Sequence, residues 1–246
     1  MFAENPHYEK QLSNKDLAYD EQMLCEINNV PQSHMMESPF LYMDRKNFAT
    51  CLTRIKLYEL TRNVQGCIVE CGVHRANSFA LYHHMAATLD PLLFNKKLIG
   101  FDTFEGFTSI SQNDPDHVVK GGMGDTSYEH INQIMKLQDS NRLLGHVPTV
   151  ELVKGDACKE IPKYVTDNPW LIISLLYLDF DIYEPTITAL KNLAPLVPKG
   201  GIIAFDELNQ RKWVGETVAL KEYFDLNRIN LLKFEFEPHV SYFIVE

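Results

Sequence analysis

Apolar and polar residues alternate along the chain in blocks that match the lengths of strands and helices. Five short apolar runs predict strands and lie within "CIVE", "KKLIGFDTFEGF", "TVELVKGDA", "WLIISLLYLDFD" and "GIIAFDE". Most of them are followed by segments with helical periodicity, among them "SFALYHHMAATL", "YEPTITALKNLAPLV" and "GETVALKEYFDLN". Because strands that alternate with helices form parallel sheets covered on both faces, we predict an α/β fold.

The two ends of the chain depart from this rhythm. Residues 1–37 are polar and are predicted to form an N-terminal arm, followed by one domain over residues 38–246. That domain opens with a predicted helix over residues 38–63, in which Phe48, Leu52, Ile55 and Leu60 share a face. At the other end, "INLLKFEFEP" and "HVSYFIVE" predict an antiparallel strand pair that turns at "PH".

Residues 108–149 form a long, polar and glycine-rich insertion within the predicted domain. Insertions of this size above the end of a sheet are typical of lids and binding loops. We therefore expect this segment to cover the site and to recognise the substrate.

Composition narrows the classes of partner. The net charge is −10 and no basic stripe is present, which argues against a nucleic-acid partner. No apolar run has transmembrane length, and the first residues lack the apolar core of a signal peptide, so we expect a cytoplasmic protein without a membrane partner. The five cysteines show no paired spacing and are expected to be free thiols.

Paired acids end two of the apolar runs. "LLYLDFDIYEP" delivers Asp179 and Asp181, and "GGIIAFDELN" ends in Asp206 and Glu207. If the two strands are neighbours, Asp179, Asp206 and Glu207 converge and repel one another, and a hard cation such as Mg²⁺ relieves that repulsion. Asp181 then lies beyond the metal ligands, where it can act as a general base, although it can equally cap the following helix.

The run "IVECGVHRANS" predicts a nucleoside site. Gly72 permits close approach of a ligand to the backbone, and Ser78 begins a helix whose free N–H groups can bind an anion. Glu70 would repel a pyrophosphate, so the pattern favours a ligand with a positive group, such as S-adenosylmethionine. Asp102 is then expected to bind the ribose hydroxyls and Asp156 the adenine amino group, although acids at strand ends also serve as helix caps.

Three motifs, "GCIVECGVHRANSFAL", "IGFDTFEGF" and "LDFDIYEPTITALKNLAPLVPKGGIIAFDE", resemble the macrocin O-methyltransferase family over about residues 40–227. The resemblance implies a Rossmann-like class I methyltransferase fold. This fold has a mostly parallel seven-stranded sheet with helices on both faces, a C-terminal antiparallel strand pair and a helical N-terminal extension. It also implies a homodimer or higher homo-oligomer that methylates sugar hydroxyls in natural-product biosynthesis, using S-adenosylmethionine and Mg²⁺.

Roles carry over by matching motif positions. Asp179, Asp206 and Glu207 match metal ligands, and Asp181 matches the general base. The cofactor positions are matched by Glu70, Gly72, Ser78, Asp102 and Asp156. This chain departs from the family at Ala76 and Asn77, where glycines are usual, and at Glu207, where aspartate is common.

The predicted activity is methyl transfer to a sugar hydroxyl of a natural product or of a glycoside derived from a nucleotide sugar. Two alternatives stay open: a catechol-like methyltransferase acting on small diols, and a non-catalytic nucleoside-binding protein of the same fold. A nicotinamide oxidoreductase is disfavoured, because the glycines of a dinucleotide fingerprint are missing and Glu70 would repel the pyrophosphate.

Overall fold

A computed structural model describes residues 14–246, with side chains described from Tyr19 onward. The chain divides into two compact units, with the boundary between Ala49 and Thr50. The predicted arm over residues 1–37 lies partly outside the described residues, and its described part contains two helices. In the described part of the first unit, Phe40 packs edge-on against Phe48, with their ring centroids 6.4 Å apart.

The described residues contain seven strands: β1 (Cys67–Cys71), β2 (Leu98–Asp102), β3 (Val150–Lys154), β4 (Ile173–Leu178), β5 (Ile202–Phe205), β6 (Leu232–Phe234) and β7 (Glu237–Ile244). The α-helices are α1 (Asn14–Ile27), α2 (Gln32–Glu37), α3 (Pro39–Tyr42), α4 (Arg45–Thr61), α5 (Asn77–Leu89), α6 (Tyr128–Ser140), α7 (Ala157–Asp167), α8 (Tyr183–Leu193) and α9 (Gly215–Tyr223). No helix within residues 14–246 combines the length and the apolar character needed to cross a bilayer.

All seven strands form one sheet in the order β3-β2-β1-β4-β5-β7-β6. Strands β1 to β5 pair in parallel, and β7 runs antiparallel to both of its neighbours. The predicted α/β class and the antiparallel C-terminal strands are confirmed. The strand order reverses between β1 and β4, and ligands of such sheets bind at the carboxyl ends of the strands beside this switch point.

Strand β4 shows why the sheet is covered on both faces. Every residue of "ISLLYL" is buried. Leu176 and Leu178 pack into a core cluster with helices α7, α8 and α9, whereas Leu175 and Tyr177 pack into the cluster that includes residues of α4 and α5. A strand that is apolar on both sides can only be stable between two layers of helices.

Helix α4 is shorter than the pattern predicts, and it buries a different face. The predicted helix over residues 38–63 is interrupted between α3 and α4. Phe48 and Leu60, which were expected on the apolar face, are exposed. The buried residues are instead Thr53, Arg54, Leu57, Tyr58 and Thr61. Because Arg54 faces the sheet, the residues three, four and seven positions further along face it as well.

The C-terminal hairpin turns earlier than predicted. The strands are joined at Glu235 and Phe236, and Pro238 lies inside β7 rather than at the junction. The register of the β6–β7 pair shifts between Lys233 and Phe234. Proline fits strands at such irregular positions, because no ladder hydrogen bond is required of its nitrogen there.

Candidate functional site

Backbone hydrogen bonds continue past the ends of the parallel strands and align the loops that carry the predicted site. The N–H of Gly72 donates to the carbonyl of Phe101 at 2.9 Å, and the N–H of Asp179 donates to the carbonyl of Cys71 at 2.8 Å. The N–H of Asp206 donates to the carbonyl of Leu178 at 3.0 Å. The loops after β1, β2, β4 and β5 therefore lie side by side at the carboxyl edge of the sheet.

Gly72 begins the turn after β1 in a left-handed conformation, with a φ of +91°. A Cβ atom at this position would lie 1.8 Å from the backbone carbonyl oxygen of Asp179. The turn thus lies directly against the end of β4, and only glycine fits.

We expect Gly72→Ala to lower the free energy of unfolding by about 2–5 kcal/mol, from the steric clash and the left-handed backbone together. Gly200→Ala is the matched control, because Gly200 also has a positive φ but a Cβ there would meet only Val64, at 3.6 Å. Chemical denaturation measures both variants. Equal losses in the two variants would mean that the contact with Asp179 imposes no cost.

Ala76 also adopts a left-handed conformation, with a φ of +62°, immediately before helix α5. This conformation costs an L-residue about 1–2 kcal/mol. Ala76 is one of the two positions at which the family that this chain resembles usually has glycine. Glycine would adopt this conformation without strain, whereas alanine does not.

Asp102 organises the turn after β1. Its Oδ2 accepts hydrogen bonds from the N–H groups of Val73 and His74 at 2.8 and 2.7 Å, and its Oδ1 accepts one from Phe104 at 2.6 Å. Three backbone amides therefore hold the carboxylate beside Gly72. Its predicted contact with ribose hydroxyls stays a prediction, and would use the remaining lone pairs of the same oxygens.

Asp156 caps helix α7. Its Oδ1 accepts a hydrogen bond from the N–H of Cys158 at 3.0 Å, and the Nζ atom of Lys159 lies 3.6 Å from Oδ2. An N-cap of this kind satisfies one of the free N–H groups of the first helical turn. The predicted contact with the adenine amino group stays a prediction beside this structural role.

Glu70 is buried near the end of β1, with 1% of its surface exposed. Its Oε2 has no hydrogen-bond partner among the described residues. Burial raises the pKa of Glu70 to about 8, although the Arg54 guanidinium opposes the shift. A buried carboxylate without a partner is costly, and a positively charged ligand group beside it would offset that cost.

Arg54, from helix α4, connects the predicted nucleoside site with the predicted metal site. Its Nε donates to the hydroxyl of Ser78 at 3.2 Å, and its Nη2 donates to Oδ1 of Asp206 at 3.0 Å. The same Nη2 lies 3.8 Å from Oδ2 of Asp179, and the guanidinium lies 4.0 Å from the centre of the Tyr177 ring. A single buried cation therefore stands between the carboxylates predicted to hold a metal.

Asp179 and Asp206 are partly exposed, with 28% and 24% of their side chains accessible. Asp206 also accepts a hydrogen bond from the hydroxyl of Tyr177. Loss of solvation, followed by repulsion from Asp206 and Asp181, raises the pKa of Asp179 well above its usual range, and Arg54 opposes the shift. The structure thus brings these two predicted ligands together, with more negative charge nearby than Arg54 neutralises.

Glu207 makes different contacts from this pair. Asp206 contacts Tyr177 and Arg54, whereas the N–H of Glu207 donates to Oε2 of Glu216 at 3.2 Å. The Oε2 of Glu207 is buried without a hydrogen-bond partner among the described residues. Burial, with repulsion from Asp181, Asp206 and Glu216, raises its pKa to about 9. Its role as a third metal ligand stays a prediction.

Asp181 follows β4 in a left-handed turn, with a φ of +63°. Loss of solvation, with repulsion from Asp206 and Asp102, raises its pKa to about 7. It does not cap helix α8. The residue preceding that helix is Ile182, and the first helical N–H, that of Tyr183, donates to Oδ1 of Asp114, within the insertion. Of the two roles predicted for Asp181, the cap is therefore filled by another residue.

The donor set fits a hard divalent cation in charge and chemistry, since carboxylate oxygens are the ligands that Mg²⁺ prefers. Across residues 14–246, however, no three His, Cys, Asp or Glu side chains form a group arranged to hold a metal ion. Asp206 and Glu207 both lie beyond the end of β5, where Asp206 contacts Arg54 and Tyr177 and the backbone of Glu207 bonds to Glu216.

The insertion over residues 108–149 is anchored at several points. Asp125 pairs with His74 at 3.0 Å and also with Arg75, both in the turn after β1. Val118 packs with Ile182 and Trp213 in a small apolar cluster beside the Asp181 turn. The segment is thus attached both to the turn after β1 and to the turn that carries Asp181.

Sequence reasoning missed three residues of this site: Arg54, Asp114 and Glu216. For Arg54 a signal existed, because Arg54, Leu57, Tyr58 and Thr61 share the spacing of one helical face. For the other two none was available. Glu216 resembles an ordinary first-turn acid, and Asp114 lies 69 residues before its partner, Tyr183.

Comparison with known proteins supports the fold and the class of enzyme. The crystal structure of CalS11, a calicheamicin methyltransferase, matches with a TM-score of 0.89 and 26% identity, over 95% of this chain and 93% of that chain. An apo structure of CalS11, described as a TDP-rhamnose 3'-O-methyltransferase, matches with a TM-score of 0.82 and 27% identity, over 95% of both chains. The O-methyltransferase NovP, 20% identical over 80% of this chain and 79% of that chain, shares the fold with a TM-score of 0.64.

A search of curated proteins gives no significant match. The model of the macrocin O-methyltransferase (TylF) family matches residues 41–233, which is most of the chain. This match agrees with the motifs "IGFDTFEGF" and "LDFDIYEP", both of which lie at the carboxyl edge of the sheet. The chain therefore belongs to the macrocin O-methyltransferase (TylF) family and is an O-methyltransferase.

Proposed function

We propose that the protein transfers a methyl group from S-adenosylmethionine to a sugar hydroxyl in a magnesium-dependent reaction, with Asp181 as the general base. The observation that carries this proposal is the position of Asp181 on a left-handed turn after β4, where burial and the nearby negative charges of Asp206 and Asp102 raise its pKa to about 7. At neutral pH, a base whose pKa lies near 7 is partly unprotonated and still binds a proton strongly enough to remove it from the acceptor.

Five residues are proposed to bind the cofactor: Glu70, Gly72, Ser78, Asp102 and Asp156. The close approach of the chain at Gly72 and the buried Oε2 of Glu70, which has no hydrogen-bond partner among the described residues, support this proposal. Glu70 would face a positive group of the ligand, and the free N–H groups at the start of α5 would face its carboxylate. Asp102 holds this turn by accepting hydrogen bonds from the N–H groups of Val73 and His74, which supports a fixed backbone for the ligand.

Asp179 and Asp206 are proposed to hold Mg²⁺, with Glu207 as a third candidate ligand. Their mutual repulsion and the raised pKa of Asp179 support a cation at this position. When bound, S-adenosylmethionine supplies an electrophilic methyl group, and Mg²⁺ supplies positive charge that favours the ionised form of a nearby hydroxyl. The role of Asp181 is to accept the hydroxyl proton as the oxygen attacks.

The sugar acceptor is supported by the similarity to CalS11, which is described as acting on TDP-rhamnose. A second candidate is a small aromatic diol. Aromatic pairs at the insertion favour it. The ring centroids of Phe104 and Tyr128 are 5.2 Å apart, and those of Phe107 and Trp213 are 6.2 Å apart. The insertion over residues 108–149 is proposed to act as the lid that selects between these acceptors. Membership of an enzyme family argues against the non-catalytic alternative.

Methyl transfer assays with TDP-rhamnose and with catechol, followed by mass spectrometry, test the proposed acceptor. Calorimetry with S-adenosylmethionine, with and without Mg²⁺, separately tests the cofactor site. We expect transfer to the sugar nucleotide and binding of the cofactor. Transfer to catechol alone would favour the second candidate instead.

Metal removal gives an independent prediction. Chelation with EDTA is expected to lower turnover by about 100-fold, because a divalent cation contributes several kcal/mol of charge stabilisation, and added Mg²⁺ is expected to restore it. The affinity for S-adenosylmethionine should change little. Full turnover in EDTA would remove the metal from the mechanism.

A further inference from the structure

Glu216 links the two loops that carry the proposed chemistry. It lies in the first turn of helix α9 and is fully buried, with 0% of its surface exposed. Its Oε1 accepts a hydrogen bond from the N–H of Asp181 at 3.3 Å, and its Oε2 accepts one from the N–H of Glu207 at 3.2 Å. One side chain thus ties the backbone of the proposed base to the backbone of a proposed metal ligand.

The Asp181 turn needs such support. A residue other than glycine with a φ of +63° is strained, by about 1–3 kcal/mol, and holds that conformation only where its surroundings fix it. Within the turn, the N–H of Ile182 bonds to the carbonyl of Phe180 at 2.7 Å. The N–H of Asp181 itself bonds to Glu216, on another element.

Asp114 holds the same turn from its other side. Its Oδ1 accepts a hydrogen bond from the N–H of Tyr183 at 2.7 Å, and its Oδ2 accepts bonds from the backbone and hydroxyl of Ser111. Gly215 completes the packing, because a Cβ there would lie 2.6 Å from the Tyr183 nitrogen and 2.8 Å from Oδ1 of Asp114. The insertion, the Asp181 turn and the start of α9 therefore form one contact.

We infer that Glu216, assisted by Asp114, is a positioning residue that holds the Asp181 turn in the geometry needed for proton transfer. The inference rests on the role of Asp181 proposed above. Glu216 acts through the backbone of Asp181, whose amide it binds, and so it sets where the Asp181 carboxylate points. A displacement of about 1 Å in such a group can cost about 100-fold in rate.

Amide hydrogen exchange tests the contact without a substrate. In Glu216→Ala, the amides of Asp181 and Glu207 are expected to exchange at least tenfold faster, while the amides of β4 and β5 keep their protection. Glu216→Gln keeps one carbonyl acceptor and should recover part of the protection. Glu222→Gln is the matched control, since Glu222 lies on the same helix and accepts its bond from the Tyr183 hydroxyl. Unchanged exchange at both amides in Glu216→Ala would overturn the inference.

Kinetics with TDP-rhamnose as acceptor test the consequence for catalysis. Glu216→Ala is expected to lower kcat by about 100-fold with an unchanged KM for S-adenosylmethionine, and Glu216→Gln should recover part of the rate. Added to Asp181→Asn, Glu216→Ala should cause no further loss. An equal loss in that background would show that Glu216 does not act through Asp181 and would overturn the inference.

These outcomes separate the inference from the proposed function. Wild-type turnover in Asp181→Asn would contradict the proposed base. Loss in Asp181→Asn together with full kcat in Glu216→Ala would contradict only the positioning role. A wild-type enzyme without activity on TDP-rhamnose would contradict the proposed acceptor, and the exchange measurement would then decide whether Glu216 holds the turn.

Discussion

Replacing Asp181 by asparagine is expected to lower methyl-transfer turnover by about 10²–10⁴-fold, which is the usual contribution of a positioned general base. Asparagine has nearly the same size as aspartate and tolerates the left-handed conformation observed at this position. The turn should therefore keep its shape, and only the ability to accept the acceptor's proton is removed. Steady-state kinetics measure the loss, and calorimetry with S-adenosylmethionine should show unchanged affinity.

Glu184→Gln provides the control for this experiment. Glu184 is the next acid along the chain and lies in the first turn of α8. Loss of the Glu184 charge should leave turnover nearly unchanged, since an acid in the first turn only interacts favourably with the helix dipole. Comparable losses in the two variants would point to a general effect of negative charge instead of proton transfer by Asp181.

Replacing Arg54 by methionine is expected to lower the free energy of unfolding by about 3–5 kcal/mol, as for other buried charge pairs that lose one partner. Arg54 is 2% exposed and lies within 4 Å of both Asp179 and Asp206. Without it, these carboxylates and the buried Glu70 lose the cation that offsets their repulsion. Chemical denaturation at neutral pH without divalent cations measures this loss.

Arg62→Met is the matched control. Arg62 directly follows helix α4, but its side chain is 43% exposed where it pairs with Asp90. Its loss should cost less than that of Arg54, because Arg62 is itself partly exposed and pairs with a single carboxylate. Mg²⁺ should stabilise Arg54→Met more than the wild type, since the metal would replace the missing charge. Equal stability of the two variants would show that Arg54 is not the counter-charge of the acidic pair.

The strands were predictable because each is an uninterrupted apolar run, and β4 is the clearest case. Helix α7 was not predicted, since Pro162 lies inside it and obscures the helical pattern. The hairpin between β6 and β7 was misplaced, because a proline in the sequence predicts a turn whereas here the irregular strand register accommodates it.

At the site, the sequence predicts the edge of the sheet at which the acidic side chains lie, but not the residues that they contact. Asp102, Asp179 and Asp206 lie at the carboxyl edge because parallel strands end together. The partners of these acids come from distant parts of the chain: Arg54 reaches Asp206 across 152 positions. The helical spacing of Arg54 indicates that it is buried, but which acids it meets depends on how the helix packs on the sheet, and no local pattern records that.

The hydrogen bond from Tyr183 to Asp114 has a consequence for engineering. A chimera that replaces residues 108–127 with the matching loop of a relative would also remove an anchor of the turn that carries Asp181. Retaining an acid at position 114 would preserve that anchor, so that the loop can be exchanged without disturbing the Asp181 turn.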